Sequence, residues 1–345
     1  MWAIDNRTPF SAGWTWMVDK DGAKRWVVAV KGAYDILENQ DTRLADSQPE
    51  PLLMPCYRGE PGRSSMLHDA DLTAPKATTD VIVDAVAHAP GGRPTTTLDV
   101  SLRVGPVTKQ LRVLGERRWK RNLVGGLTPT PPQPFATLPV IYERAFGGAD
   151  TRAADPAEHR IHVSNPVGTG FATRAAHAED MPLPNIEDPR QPIRSWKDRP
   201  APAGFGAIAS YWAPRLGLGG TFDAHWRKTR HPLLPEDFDE RFHQCAPADQ
   251  QTPGFLVGGE AIELVNLSRW SHLRFTLPKV WLTFRTYFGR ESVEHRARLH
   301  TVIIEPEVPQ VLLVWHTSLS CHHRTDMLDV TVIDQKEFLT GDSAP

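Results

Sequence analysis

Apolar and polar positions alternate with a period of two through both ends of the chain, and the alternation fades in the middle. Trp14-Thr15-Trp16-Met17-Val18 and Arg25 to Ile36 are aromatic and β-branched runs on either side of Asp19-Lys20-Asp21-Gly22, a pattern that predicts a β-hairpin. A polar, proline-containing stretch from Glu38 to Arg63 follows. Thr79 to Ala89 alternates in part and meets the turn Pro90-Gly91-Gly92-Arg93-Pro94, so a second hairpin is expected, with Thr95 to Val104 as its return limb. In that limb Leu98, Val100, Leu102 and Val104 alternate with Asp99, Ser101 and Arg103, the period of a strand with one buried face. Lys109 to Leu114 supplies a further strand. Apolar runs return from Phe255 to Ile333, separated by short turns, and read as an antiparallel meander or sandwich.

Between Pro129 and Thr252 proline, glycine, asparagine, aspartate, arginine and tryptophan take over. Segments such as Arg199-Pro200-Ala201-Pro202-Ala203-Gly204 and Leu216-Gly217-Leu218-Gly219-Gly220 exclude long helices and central strands. A connection this long is either disordered or an ordered elaboration. Its aromatic residues, among them Tyr142, Phe146, Phe171, Trp196, Phe205, Trp212 and Trp226, decide for order. Short helices are expected around Tyr211 to Thr229 and from Leu234 to Gln244, where Pro235 would sit in the first turn. The expected fold is mainly β, with antiparallel sheets, sandwich or meander, at both ends and an ordered irregular region between. The lobes are residues 1–128 and 253–345, and the block 129–252 packs on both as one integrated assembly.

Composition sharpens this picture. The 31 prolines and 25 glycines make up about 16% of the 345 residues, where average usage is about 12%. That density of chain punctuation favours short strands and structured loops over helices. A formal net charge of -2 gives no global reason to bind nucleic acid or an anionic membrane. The three cysteines, Cys56, Cys245 and Cys321, are few and far apart, which suits a reducing compartment. No run approaches the roughly 18 apolar residues of a membrane span, and the N-terminus has no signal-peptide pattern, so a cytoplasmic protein without membrane insertion is expected.

Motifs with a specific catalytic mechanism are absent: no Walker loop, no Gly-x-Ser-x-Gly, no His-Glu-x-x-His and no Cys-x-x-Cys. Cys321-His322-His323, His316 and His243-Gln244-Cys245 do not converge at zinc-like spacing, so no metal is expected. Glu187-Asp188, Asp237, Asp239, Glu260 and Glu263 include enough carboxylates for the acid and base of a hydrolase. Arginines interspersed at 144, 190, 194, 199, 215, 227 and 241 favour instead an ion-pair and hydrogen-bond network that holds irregular backbone. Tryptophan and arginine are also the residues richest in binding hot spots.

Several motifs occur in fixed order: Tyr142-Glu143-Arg144-Ala145-Phe146-Gly147-Gly148, Asn165-Pro166-Val167-Gly168, Leu183-Pro184-Asn185-Ile186-Glu187-Asp188-Pro189, and Asp198-Arg199-Pro200. Trp212-x-Pro214-Arg215, Gly220-Thr221-Phe222-Asp223, Asp237-Phe238-Asp239-x-Arg241-Phe242, Ala246-Pro247-x-Asp249-Gln250-Gln251 and Gly258-Gly259-Glu260 follow. With Lys76-Ala77-Thr78-Thr79-Asp80 and Arg112-Val113-Leu114-Gly115 upstream, the series resembles a domain-of-unknown-function family encoded beside VgrG and PAAR genes in bacterial type VI secretion clusters. The resemblance covers roughly residues 1–335. It implies a non-enzymatic adaptor or chaperone, without cofactor, that binds a PAAR, VgrG or effector protein for loading onto the spike. The alternatives are a carboxylate-dependent hydrolase and a structural component delivered with the spike. The candidate partner-binding residues are Tyr142, Glu143, Arg144, Phe146, Asn185, Ile186, Glu187, Asp188, Trp196, Arg199, Trp212, Asp237, Phe238 and Arg241. Exposed strand edges in the terminal lobes are a further means of binding a partner segment, by strand addition.

Overall fold

Eight consecutive residues of the strand Lys24–Ile36, Trp26 to Ala33, are buried, so this strand is covered on both faces. In the computed structural model, which describes residues 2–321 and 324–336, it is the second strand of a six-stranded sheet. Ser11–Val18 flanks it on one side as the expected hairpin, with Asp19 Oδ1 accepting from the amides of Asp21 and Ala23 in the turn. On the other side lie Gln310–Ser320, then Arg298–Glu305, then Asp80–Val83. The protein is mainly β, 41% strand against 10% helix, and the sheets are largely antiparallel.

The second hairpin is not formed as the spacing suggests. Asp80–Val83 pairs in parallel with Arg298–Glu305, Val86–His88 pairs with Thr137–Pro139, and Thr97–Val104 forms its hairpin with Val107–Leu114 instead. All four residues of Asp80–Val83 are buried, which is the signature of a strand covered on both faces and paired in parallel, not of a half-exposed hairpin limb. Thr97–Val104 does bury Leu98, Val100, Leu102 and Val104 in alternation. It lies in a five-stranded sheet ordered Ile186–Glu187, Val107–Leu114, Thr97–Val104, Ala261–Val265, His272–Thr276. A four-stranded sheet joins Ala3–Asn6, Leu328–Lys336, Trp281–Phe288 and Glu291–Arg296. Each large sheet therefore mixes strands from distant parts of the chain.

Alternation within the central sheet divides the core in two. Val81, Val83, Val302, Ile304, Val311 and Leu313 share one cluster with Leu102 and Ile262 of the five-stranded sheet and Phe284 and Ile333 of the four-stranded sheet. Their neighbours Ile82, Ile303 and Leu312 pack instead with Tyr142, Ala145, Ala207, Trp212 and Ala246 of the block. Trp26 stacks on Trp14 with centroids 4.6 Å apart and donates its indole N–H to Thr331 Oγ1 at 2.9 Å, locking the hairpin to the four-stranded sheet.

The first expected helix is present as two short pieces, Arg215–Leu218 and Ala224–Thr229. The second is reduced to a single 3-10 turn, Glu240–His243. The aspartates account for this: Asp239 caps the turn by accepting from Arg241 N, while Asp237 reaches back to Thr221 N and Oγ1. Side chains that bind nearby backbone compete with helix formation.

The backbone carbonyl of Gln133 crosses so close to Gly115 that a Cβ there would lie 1.7 Å from it. Gly115→Ala is expected to lower stability by about 3 kcal/mol, the upper range for overpacking. A urea midpoint unchanged from wild type would contradict this approach.

Candidate functional site

The block is fastened to the central sheet by one buried charged pair. Lys76 Nζ donates to Asp80 Oδ2 at 2.7 Å, to Thr301 Oγ1 at 2.9 Å and to Cys245 Sγ at 3.6 Å, using all three ammonium protons. Asp80 in turn accepts from Cys245 N at 2.8 Å and from Gln244 Nε2 at 3.3 Å. Burial alone would strip Lys76 of its proton; the adjacent Asp80 outweighs it and holds the pKa above the ordinary lysine value. Burial pushes the Cys245 thiol up, so it stays protonated. Beside this pair, Lys31 donates to Asp71 at 2.7 Å, and Arg215 pairs with Asp69 at 2.9 Å while donating to the carbonyls of Ile208 and Phe242. Gln250 Nε2 bridges the carbonyls of Val81 and Phe205, both at 2.8 Å.

Seven of the fourteen candidate residues are buried: Tyr142, Phe146, Asn185, Ile186, Glu187, Trp212 and Phe238. Tyr142 meets Trp212 edge to face at 5.6 Å, and Gly204 lies under its ring where a Cβ would come within 2.8 Å. Asn185 exchanges backbone and side-chain bonds with Arg144 and Leu114. Ala145 bridges Ile186. The half-buried members also serve the frame: Glu143 accepts from Ser65 N and Oγ, and Arg144 donates to Glu116 and Asn185. Trp196 and Arg199 belong to a second group, in which the Arg199 guanidinium lies 5.2 Å from the Phe171 ring centroid and donates to Ala172 O. Asp237, Phe238 and Arg241 form a third, around Phe242. Of the fourteen, Arg199, Asp237 and Arg241 are exposed. The structure thus splits the candidates into three groups.

The carboxylates considered for a hydrolase are each engaged separately. Glu187 accepts from Arg117 at 2.6 Å and from Ile193 N, Asp188 from the Arg190 side chain and amide, and Asp239 from Arg241. Asp237 is held by Thr221, Glu260 Oε1 by Val257 N, and Glu263 by Arg274 and His272. Hydrogen bonds from Arg190 and Arg241 keep Asp188 and Asp239 below the usual carboxylate range, Asp239 at about 2. Groups held ionised in this way do not donate protons near neutrality. Among the described residues no group of three His, Cys, Asp or Glu is placed to hold a metal ion; His322 and His323 lie outside those residues.

Two accessible features stand apart from these groups. One is a patch on the block. Tyr211 is 39% exposed and Leu216 56%, on either side of buried Trp212; Val163, 61% exposed, joins them because its carbonyl accepts from Ala213 N. The Tyr57 ring packs on Tyr211 at 6.4 Å. The other is a cleft of about 350 Å3 where the chain passes from the four-stranded to the six-stranded sheet, lined by Phe255–Val257, Lys279–Leu282, Arg296–Leu299 and Trp315. Behind its wall runs a column of stacked groups: Arg298 over Phe255 at 4.8 Å, Phe255 on His300 at 5.6 Å, and His300 on His316 at 4.4 Å. His316 Nε2 bonds Thr73 O at 2.8 Å, three residues from Lys76. The edge strand His272–Thr276 is partly guarded, since Gln40 Oε1 accepts the Arg274 amide at 2.6 Å.

Sequence reasoning missed the Lys76 hub and the cleft. The i, i+4 pair Lys76 and Asp80 and the Arg296-Ala297-Arg298 step between two strands were their signals. No helix among the described residues is long and apolar enough to cross a membrane.

An all-β protein whose glycine- and proline-rich block covers a central mixed sheet is the class this architecture defines. Residues 21–316 match DUF2169, described as an uncharacterized protein conserved in bacteria, and the chain belongs to that family. No curated protein and no solved structure matches the chain.

Removing one partner of a buried pair strands the other charge. Lys76→Met is therefore expected to cost about 3–5 kcal/mol, and adding Asp80→Asn to recover part of it. Additive losses in urea titrations of the single and double variants would refute the coupling. Burial holds His243, His295 and His316 down at about 4, each from an ordinary 6.5. The unfolded chain then binds more protons between these values, so stability is complete above pH 6.5 and falls as pH drops toward 4. For fully buried His316 the loss from pH 7.5 to 5 is about 2 kcal/mol. His316→Gln should flatten the pH slope of the urea midpoint, and an unchanged slope would refute this assignment.

Proposed function

We propose that the protein is an adaptor or chaperone of a bacterial type VI secretion system, binding a PAAR, VgrG or effector polypeptide for loading onto the spike. The ordered motifs from Tyr142 to Gly259 support this reading, and they fall within the stretch matched to the family. The observation that carries it is the apolar patch of Tyr57, Val163, Tyr211 and Leu216. These side chains are held in a rigid setting by the buried Trp212 and by backbone bonds, yet Val163, Tyr211 and Leu216 are exposed and Tyr57 is half-buried. Contiguous apolar surface on an ordered scaffold favours association with another protein. Separate partners for Glu187, Asp188 and Asp237 weigh against the hydrolase alternative.

Co-expression with PAAR, VgrG and effector polypeptides encoded beside the gene tests this. One of them should co-elute as a stable complex in size-exclusion chromatography. The double variant Tyr211→Ala, Leu216→Asp should lose that complex by at least about tenfold in affinity, a 1.4 kcal/mol change, while keeping its melting temperature. Absence of any complex with the wild-type chain would overturn the reading.

A further inference from the structure

We propose that the cleft beside Trp281 is a docking site for a partner protein's extended segment that carries an aromatic side chain flanked by carboxylates. The inference rests on the adaptor reading and adds the chemistry of one contact.

The walls supply both halves of that chemistry. Phe255, Trp281 and Trp315 supply aromatic groups, and among the described lining residues Lys279, Arg296 and Arg298 are the only charged ones, with no aspartate or glutamate. Other arginines are neutralised in place: Arg285, on the strand paired with that of Arg296, by Glu294, and Arg274 and Arg324 by Glu263 and Glu291. Arg296 and Arg298 are in no ion pair with a described carboxylate, although both are exposed. A rim that carries Arg296 and Arg298 over aromatic walls is complementary to an anion on an apolar anchor. At about 350 Å3 the cleft lies at the small end of ligand cavities, room for one large side chain with its neighbours at the rim.

A protein segment fits better than a nucleic acid. Arg296 and Arg298 are two cations side by side in a chain of net charge -2, whereas a phosphate backbone calls for a continuous cationic track. An acidic polypeptide concentrates its charge over a few residues and matches the local patch.

Fluorescence anisotropy of a labelled, capped peptide, Gly-Asp-Glu-Phe-Asp-Glu-Gly, against the full chain tests the site. It should bind, weaken as salt rises from 0.05 to 0.5 M, and lose at least about tenfold in affinity for R296Q/R298Q and for the R296E/R298E variant. Replacing the peptide's phenylalanine by alanine should cost a similar factor. Melting curves establish that both variants fold. Equal binding of a lysine-substituted peptide, unchanged affinity for both variants, tighter binding of an eight-nucleotide oligothymidylate, or N-acetyl-phenylalanine binding as tightly as the peptide would each overturn the proposal. So would peptide binding that appears only when the chain is shortened after Lys336, because the occupant would then be the chain's own end. The two readings fail separately. A partner that co-elutes undiminished with R296E/R298E leaves the adaptor standing and removes this site, and peptide binding without any stable complex does the reverse.

Discussion

The contact between Lys76 and Asp80 is the constraint on which the arrangement of the molecule depends. Both side chains are withdrawn from water, a transfer that costs several kcal/mol per ion unless every donor and acceptor is met. Here the ammonium has three partners and the carboxylate oxygens three donors, drawn from the strand Asp80–Val83, from Thr301 of the neighbouring strand and from Gln244 and Cys245 of the block. Satisfying that pair requires the strand, the sheet and the block to be present in one geometry. The hub therefore specifies position as much as it stabilises.

The irregular block follows from this. Its loops have few ladder bonds, so arginine side chains and Gln250 take over the carbonyls that a sheet would satisfy: Arg199 on Ala172, Arg117 on Pro184, Arg215 on Ile208 and Phe242. Glycines permit the close crossings, as where Gly147, with a φ of 152°, passes within 2.2 Å of Asn165 O if a Cβ is added. Tyr142 and Trp212 are buried against the central sheet, and Arg190 and Arg241 spend their charge on carboxylates two residues away.

Local pattern was enough to read the strands with one buried face, such as Thr97–Val104, and the hairpin around Gly22. It was not enough for pairing. Asp80–Val83 reads as a hairpin limb because its true neighbour, Arg298–Glu305, lies more than two hundred residues away and nothing local announces it. The two-layer burial of the central sheet was hidden for the same reason: Val81 and Ile82 are equally apolar, and only the tertiary structure sends one to the other sheets and the other to Tyr142 and Trp212. The candidate residues were legible as a group rich in tryptophan and arginine. Sequence does not distinguish a tryptophan that faces inward from one that faces a partner, and half of the candidates are buried. The cleft escaped notice because its cations and aromatics come from four separate stretches.

The mixing of distant strands bears on the order in which a ribosome can deliver this protein. Ala3 lies opposite Val330, and Lys24–Ile36 takes Gln310–Ser320 as its long partner. The tryptophan-bearing hairpin emerges well before the strands that cover it. Until about residue 330 has been added, the nascent chain carries an uncapped central strand and a bare aromatic face, and its slow long-range pairings remain open to any other unpaired strand nearby.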